Sequence, residues 1–126
     1  MMKIVNTTSV YMPGTDVFWV VDKLKEAGFQ CLDLALDYCC TPGHPFLSDN
    51  YMEWAKELKE YADSKGISFY QCHGVGDPSV FYDKPDDIAY RSIEVAQVLG
   101  IKWVAMHPKE IQEKTDEQYD DLFVSE

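Results

Sequence analysis

The chain has 126 residues, of which 46% are hydrophobic and 13% aromatic. This length suits one ordinary domain and this composition supplies a packed core, so intrinsic disorder is excluded. The formal charge is −11, from 22 acidic and 11 basic residues. No cluster of Lys and Arg offers the basic stripe that nucleic-acid binding needs, so we expect no nucleic acid as a partner.

The opening segment "MMKIVNTTSVYMPG" lacks the long apolar core of a signal peptide. No stretch of the sequence reaches the length of a membrane span, so no membrane association is expected either. We therefore predict a cytoplasmic protein.

The predicted elements alternate between strands and helices, and the first is a strand over residues 3–10. A stretch of helical period follows, in which the spacing predicts a buried face made of Val17, Val20, Val21, Leu24 and Ala27. Gly28 then supplies the left-handed residue that ends a helix. The next apolar run, "AGFQCLDLAL" at 27–36, contains the second strand.

The same unit recurs twice. The second helix runs from about Asn50 to Lys65, with Asn50 and Glu53 as a capping pair, and the third begins near Pro85. Gly66 and Gly100 end these helices. Their predicted buried faces are, in the second helix, Tyr51, Ala55, Leu58 and Ala62, and in the third, Ile88, Ser92, Val95, Ala96 and Leu99.

Strand-helix alternation predicts an α/β fold with a parallel sheet and right-handed crossovers. Each helix passes into the next strand through little more than its glycine, whereas a long segment follows each strand. Long loops at the carboxyl ends of parallel strands are typical of the sites of α/β enzymes. The sequence therefore favours an enzyme over a structural module.

The chain ends soon after the start of a fourth amphipathic pattern, "TDEQYDDLF", in which Thr115 and Gln118 form a capping box. Four strand-helix units are about half of an eight-unit barrel, which has about 250 residues. We therefore interpret residues 1–126 as the amino-terminal half of a (β/α)8 barrel, truncated within the fourth helix.

The four cysteines, Cys31, Cys39, Cys40 and Cys72, are expected to be reduced thiols because the chain shows no secretory signal. The loop "CCTPGH" contains His44 but lacks the Cys-x2-Cys spacing of zinc sites. We expect His44 to be a surface or lid residue.

His73 and His107 each lie seven residues after a helix-ending glycine, at the carboxyl ends of consecutive predicted strands. Alternation places Phe69 and Gln71 on the same face as His73, and Trp103 and Ala105 on the same face as His107. Either the two histidines meet a metal ion or an oxygen-rich substrate together, or each bonds its own loop.

Two further residues are candidates for substrate contact. Asp33 is an inward carboxylate in an apolar run and needs either a hydrogen-bonding partner or a functional role. Asn6, in the first strand, could reach a substrate hydroxyl or could be structural.

The succession "MKIVNTTSV", "EAGFQCLDLAL", "WAKELKEYADSKGISFYQCHG" and "SIEVAQVLGIKWVAMHP" resembles the first half of the xylose-isomerase-like TIM barrels. This superfamily holds sugar-phosphate isomerases and epimerases alongside endonuclease-IV-type DNA-repair enzymes. The resemblance covers nearly the whole chain, and "YQCHG" and "LGIKWVAMHP" are its most specific parts.

The resemblance implies a divalent metal, Mn, Mg, Co or Zn, in the complete barrel. In the isomerase branch the metal polarises a carbonyl while carboxylates move a proton, and its ligands come from the fifth to eighth strands. His73 and His107 would then line the substrate pocket, with Asn6 and Asp33. In the nuclease branch both histidines match zinc ligands.

Our first hypothesis is a metal-dependent sugar or sugar-phosphate isomerase or epimerase of carbohydrate metabolism, inactive as this chain alone. The alternatives are a zinc-dependent nuclease acting at abasic DNA sites, and a non-catalytic α/β domain that dimerises. The acidic surface favours a small polar substrate over DNA. Half a barrel also leaves two open sheet edges, which favour self-association.

Overall fold

The computed structural model describes residues 4–12, 16–75 and 85–106. They form a four-stranded sheet and three α-helices in strict alternation along the chain. The strands are β1 (Val5–Thr7), β2 (Cys31–Ala35), β3 (Ser68–His73) and β4 (Trp103–Ala105), and the helices are α1 (Val17–Glu26), α2 (Tyr51–Ser64) and α3 (Pro85–Val98).

The sheet is entirely parallel, and its strands lie in the order β1-β2-β3-β4. This confirms the predicted α/β class and the predicted parallel sheet. Because the order never reverses, every crossover advances in the same direction, and right-handed crossovers then place all helices on one face. That arrangement is consistent with part of a (β/α)8 barrel and differs from doubly wound sheets, which reverse at a switch point.

All three helices end in the same way. Gly28, Gly66 and Gly100 have φ values of 97°, 71° and 72°, which confirms their predicted left-handed conformation. In each case the next residue donates its backbone N–H to a carbonyl five residues earlier, as Ile101 does to Ala96 at 2.9 Å. This is the Schellman arrangement, and it explains why a helix can pass into a strand through a single glycine.

The core lies between the helices and one face of the sheet. The buried face of α3 is as predicted. The predicted buried face of α1 includes Ala27, but Ala27 lies at the C-cap and is exposed. In α2 the more deeply buried aromatic side chain is Trp54, and Tyr51 is half-buried near the helix start. Asn50 is the N-cap residue of α2, but its side chain makes no capping bond, so the predicted capping pair is wrong.

The first strand is shorter than the predicted 3–10, because the chain turns into a 3₁₀ helix at Thr8–Tyr11. Thr8 is fully buried, and its hydroxyl accepts the backbone N–H of Ala35 at 2.9 Å. The side chain of Thr8 therefore replaces the ladder bond that β1 no longer supplies to β2.

A β-bulge interrupts the pairing of β2 with β3. Leu32 pairs with Phe69, but the next residue, Asp33, pairs with Gln71, so Tyr70 is the extra residue. Phe69 therefore faces the helices, and Gln71 and His73 face the opposite side of the sheet. The prediction that Phe69 shares a face with His73 is wrong because simple alternation does not allow for a bulge.

The long loop between β2 and α2 is fully described and begins at the carboxyl end of its strand, as predicted. Arg91 of α3 holds this loop, since its Nη1 donates to the carbonyls of Phe46 at 2.9 Å and Ser48 at 3.0 Å. Three predicted features lie wholly or partly outside the described residues: the long loop after β3 at 74–84, the fourth helix and the truncation within that helix. Within the described ranges, no helix combines the length and apolar character needed to cross a membrane.

Candidate functional site

A polar pocket opens at the carboxyl ends of β1, β2 and β3. It has a volume of about 230 Å³. Apart from Ala35, the residues that line it carry hydroxyls, carboxylates, an imidazole and a phenol ring: Thr7, Ser9, Asp33, Asp37, Tyr38 and His73. Parallel α/β folds bind their ligands at this end of the sheet, because the loops that follow the strands gather there.

Asp33 lies at the centre of the site. It is only 5% exposed, and both of its oxygens have partners. Nδ1 of His73 lies 2.9 Å from Oδ2 and 3.1 Å from Oδ1, and Nε2 of Gln71 donates to Oδ2 at 3.2 Å. The predicted need of Asp33 for a partner is met by these two side chains, which compensate for its burial.

The β-bulge produces this arrangement. After it, Asp33 pairs with Gln71, and Ala35 pairs with His73. Since residues in register on parallel strands project to the same side, Gln71 and His73 lie beside Asp33. If β3 paired regularly beyond Phe69, Tyr70 would pair with Asp33, and Gln71 and His73 would face the helices.

The end of β1 contributes two hydroxyls. Oγ1 of Thr7 accepts the backbone N–H of Ser9 at 3.2 Å and donates to Oγ of Ser9 at 3.0 Å. Thr7 is in register with Asp33, so its side chain lies on the pocket face. Each hydroxyl can donate and accept hydrogen bonds, which suits a ligand that also carries hydroxyls.

Asp37 and Tyr38 come from the 3₁₀ helix that follows β2. The pKa of the Asp37 carboxyl is raised, mainly because burial removes its hydration and also because of the nearby charge of Asp33. Hydrogen bonds from two backbone N–H groups and the charge of His73 act in the opposite direction. Tyr38 is 40% exposed and supplies an aromatic surface to the pocket wall. The pocket therefore holds two carboxyl groups in different environments.

The other predicted residues are placed differently. Asn6 is in register with Leu32, on the helix side of the sheet, and its Oδ1 accepts the N–H of Thr7 at 2.9 Å. Asn6 does not line the pocket, and the β1 residue that does so is Thr7. His107 lies outside the described residues, so the pairing of the two histidines stays a prediction.

His44 has a structural role. Its Nδ1 accepts the backbone N–H of Phe46 at 3.0 Å and so caps the 3₁₀ turn Pro45–Leu47. Its ring packs edge-on against Trp54, with centroids 5.3 Å apart. Burial lowers the pKa of His44, and the charge of Asp16 acts in the opposite direction.

The cysteines do not contribute reactive groups to the site. None of the four forms a disulfide, which agrees with the prediction of reduced thiols, and Cys72 faces the core. Burial raises the pKa of the Cys72 thiol to about 12, and it raises that of Cys39 as well. Both are therefore inert thiols at neutral pH.

The described residues do not form a metal site by themselves. Over residues 4–12, 16–75 and 85–106, no three His, Cys, Asp or Glu side chains are arranged to hold an ion. His73 could supply one imidazole nitrogen, and a hydrogen bond to a carboxylate is the usual support of such a ligand. The metal expected from the resemblance remains a prediction.

Several pocket residues were not predicted. Thr7, Ser9, Asp37 and Tyr38 line the pocket although no pattern in the sequence predicts them, and Gln71, which bonds Asp33, is predicted only as a neighbour of His73. The spacing from Asp33 to Asp37 spans the end of β2, and this could have indicated a second carboxyl at the same edge. The hydroxyls of Thr7 and Ser9 gave no distinguishing signal, because serine and threonine are common at strand ends.

No family model matches this sequence. A search of curated proteins finds no match either.

Proposed function

We propose that the pocket at the carboxyl ends of β1–β3 binds a small, neutral, hydroxyl-rich molecule of the sugar class. We further propose that it forms part of the active site of a metal-dependent isomerase or epimerase of carbohydrate metabolism. The observation that carries this proposal is the buried carboxylate of Asp33, bonded to His73 and Gln71 at the wall of a polar pocket.

The hydrogen-bonding groups of the pocket suit a polyol. Thr7 and Ser9 offer hydroxyls, Asp37 offers a carboxyl group, and Tyr38 offers an aromatic surface against which the C–H face of a sugar ring can pack. The volume of about 230 Å³ is below the roughly 300–1,000 Å³ of pockets that hold drug-sized ligands, which favours a monosaccharide-sized molecule.

The charge of the pocket favours a neutral sugar over a sugar phosphate. Two carboxyl groups line it, and no Lys or Arg is among its described lining residues. A phosphate would meet like charge without a cation to pair with it. The same reasoning, together with the net charge of −11, counts against the alternative of an abasic-site nuclease.

The residues of this chain would bind and orient the sugar. Asp33 holds the ring of His73, and the hydroxyls of Thr7 and Ser9 contact ligand oxygens. A divalent metal would polarise the carbonyl of the substrate. Since the described residues do not provide its ligand set, residues outside them must complete the chemistry. Four cysteines without a disulfide suit a reducing compartment, and we infer a cytoplasmic protein.

Binding of a matched ligand pair tests the proposal. We expect D-fructose to bind, by ligand-observed NMR, and D-fructose 6-phosphate to bind more weakly. Asp33→Asn weakens the charge-assisted bonds to His73 and Gln71, so it should lower affinity by about tenfold, or about 1.4 kcal/mol. The exposed Asp49 serves as control, because Asp49→Asn makes the same charge change away from the pocket.

The experiment should use both the 126-residue chain and the product of the reading frame that encodes it. Absence of binding by either form to D-fructose and to a panel of other ketoses would refute the sugar-binding proposal. Isomerisation or epimerisation that stops on chelation and returns with Mn or Mg would support the enzyme class. Cleavage of a duplex containing an abasic site would instead support the nuclease.

A further inference from the structure

His73 and His44 use the same ring nitrogen in opposite ways. Nδ1 of His44 accepts a backbone N–H, so neutral His44 carries its hydrogen on Nε2. Nδ1 of His73 instead faces both oxygens of Asp33, at 2.9 Å and 3.1 Å. The backbone N–H of Phe46 thus favours one tautomer for His44, and the carboxylate of Asp33 favours the other for His73.

The carboxylate of Asp33 decides the tautomer of His73. An ionised carboxylate only accepts hydrogen bonds, and Gln71 already donates to Oδ2. Nδ1 of His73 must then donate, so the neutral ring carries its hydrogen on Nδ1. The lone pair of the neutral ring consequently lies on Nε2.

Nε2 is the ring nitrogen left for a ligand. No described residue hydrogen-bonds it, whereas Nδ1 is committed to Asp33. The side chain of His73 is 40% exposed and lines the pocket, while that of Asp33 is 8% exposed. The buried carboxylate of Asp33 therefore fixes the orientation of the His73 ring, and Nε2 of this half-exposed ring can accept a hydrogen bond.

We propose that Asp33 is a positioning residue that holds His73 as its Nδ1–H tautomer, and that Nε2 accepts a hydrogen bond from a hydroxyl of the bound sugar. This inference deepens the proposed function and rests on it for the identity of the ligand. The pocket then requires a hydroxyl donor at this point and rejects a ligand with an ether oxygen there, because two acceptors would face each other.

Nitrogen-15 NMR of the histidine rings tests the tautomers in the ligand-free protein. Spectra are recorded at a pH where the rings are neutral, and signals are assigned by replacing each histidine singly. We expect the unprotonated nitrogen of His73 to be Nε2 and that of His44 to be Nδ1. An Nε2–H ring at His73 would overturn the inference without touching the proposed sugar binding.

Two variants separate the hydrogen bond from the charge. Asp33→Asn offers an amide in place of the carboxylate, so part of the His73 population should move to the Nε2–H tautomer. Asp37→Asn removes a carboxyl of the same pocket that makes no bond to Nδ1, and it should leave the His73 tautomer unchanged. Equal effects of the two variants would show that general charge, not the Asp33 contact, sets the tautomer.

Addition of D-fructose tests the ligand contact. Binding should shift the Nε2 signal of His73 and leave its Nδ1–H in place, with the His44 signals unchanged as an internal control. Binding without any change at Nε2 would overturn the proposed contact. Absence of binding by D-fructose and the other ketoses would refute the sugar proposal, and the contact with it, whereas the tautomer is decided by the ligand-free spectra alone.

Discussion

At the residue scale, the contacts of each histidine determine its role. His44 was expected on the surface or in a lid, but its ring caps a turn and packs on Trp54. Sequence could not indicate this, because only the folded loop brings Nδ1 of the histidine to the place where the side-chain oxygen of the more usual Asn or Asp would accept the N–H. The predicted need of Asp33 for a hydrogen-bonding partner is confirmed, because an isolated carboxylate in an apolar strand is costly whatever the fold.

The cap formed by His44 predicts a pH-dependent stability. The folded pKa of His44 is below its unfolded value, so the unfolded state binds a proton first as pH falls. The stabilisation is therefore complete above about pH 6.5, the ordinary histidine pKa, and is lost as pH falls from there through the lower folded pKa. We expect His44→Ala to lose about 0.5–1.5 kcal/mol of unfolding free energy at pH 8, measured by urea denaturation.

A second variant isolates the titration. His44→Asn keeps an acceptor for the N–H of Phe46 but carries no titrating group. The difference in unfolding free energy between the wild type and His44→Asn should shift in favour of the variant between pH 8 and pH 5.5. A difference that is constant over this range would contradict the role assigned to His44.

At the scale of elements, the helices were predictable and the strand details were not. Helical spacing and a terminal glycine are local signals, and they located all three helices. The bulge at Tyr70 depends on how β3 pairs with β2, which is a contact between distant parts of the chain. The shortening of β1 likewise depends on the Thr8 hydroxyl reaching Ala35.

The glycine that ends α3 gives a test of the repeated Schellman ending. A Cβ added at Gly100 would meet no atom within 4 Å, so Gly100→Ala introduces no clash. Its cost is then the left-handed backbone at φ 72°, about 1–2 kcal/mol of unfolding free energy, measured by urea denaturation.

The control is Gln97→Ala, an exposed position in the last turn of the same helix, which should change stability by less than about 0.5 kcal/mol. A loss at Gly100 no larger than that at Gln97 would show that this backbone is not constrained.

At the scale of the molecule, the two faces of the sheet are unequally covered. One row of residues in register crosses all four strands on the pocket face: Thr7, Asp33, Gln71 and Trp103. Trp103 is 62% exposed at the β4 edge, and Ile4, just before β1 at the other edge, is 74% exposed. Among the residues that the structure describes, β1 and β4 each pair with one strand only, and large apolar side chains at such edges favour association with another chain or segment.

We therefore expect self-association that depends on Trp103. Trp103→Lys places a charge on the exposed sheet face and should lower the average mass measured by light scattering. Tyr90→Lys is the matched control, because Tyr90 is 66% exposed on α3 within the helical layer and its replacement should leave the mass unchanged. The net charge of −11 opposes association, so salt that screens it should raise the mass of the wild type. A wild type that stays monomeric at high salt would show that the exposed edge does not drive association.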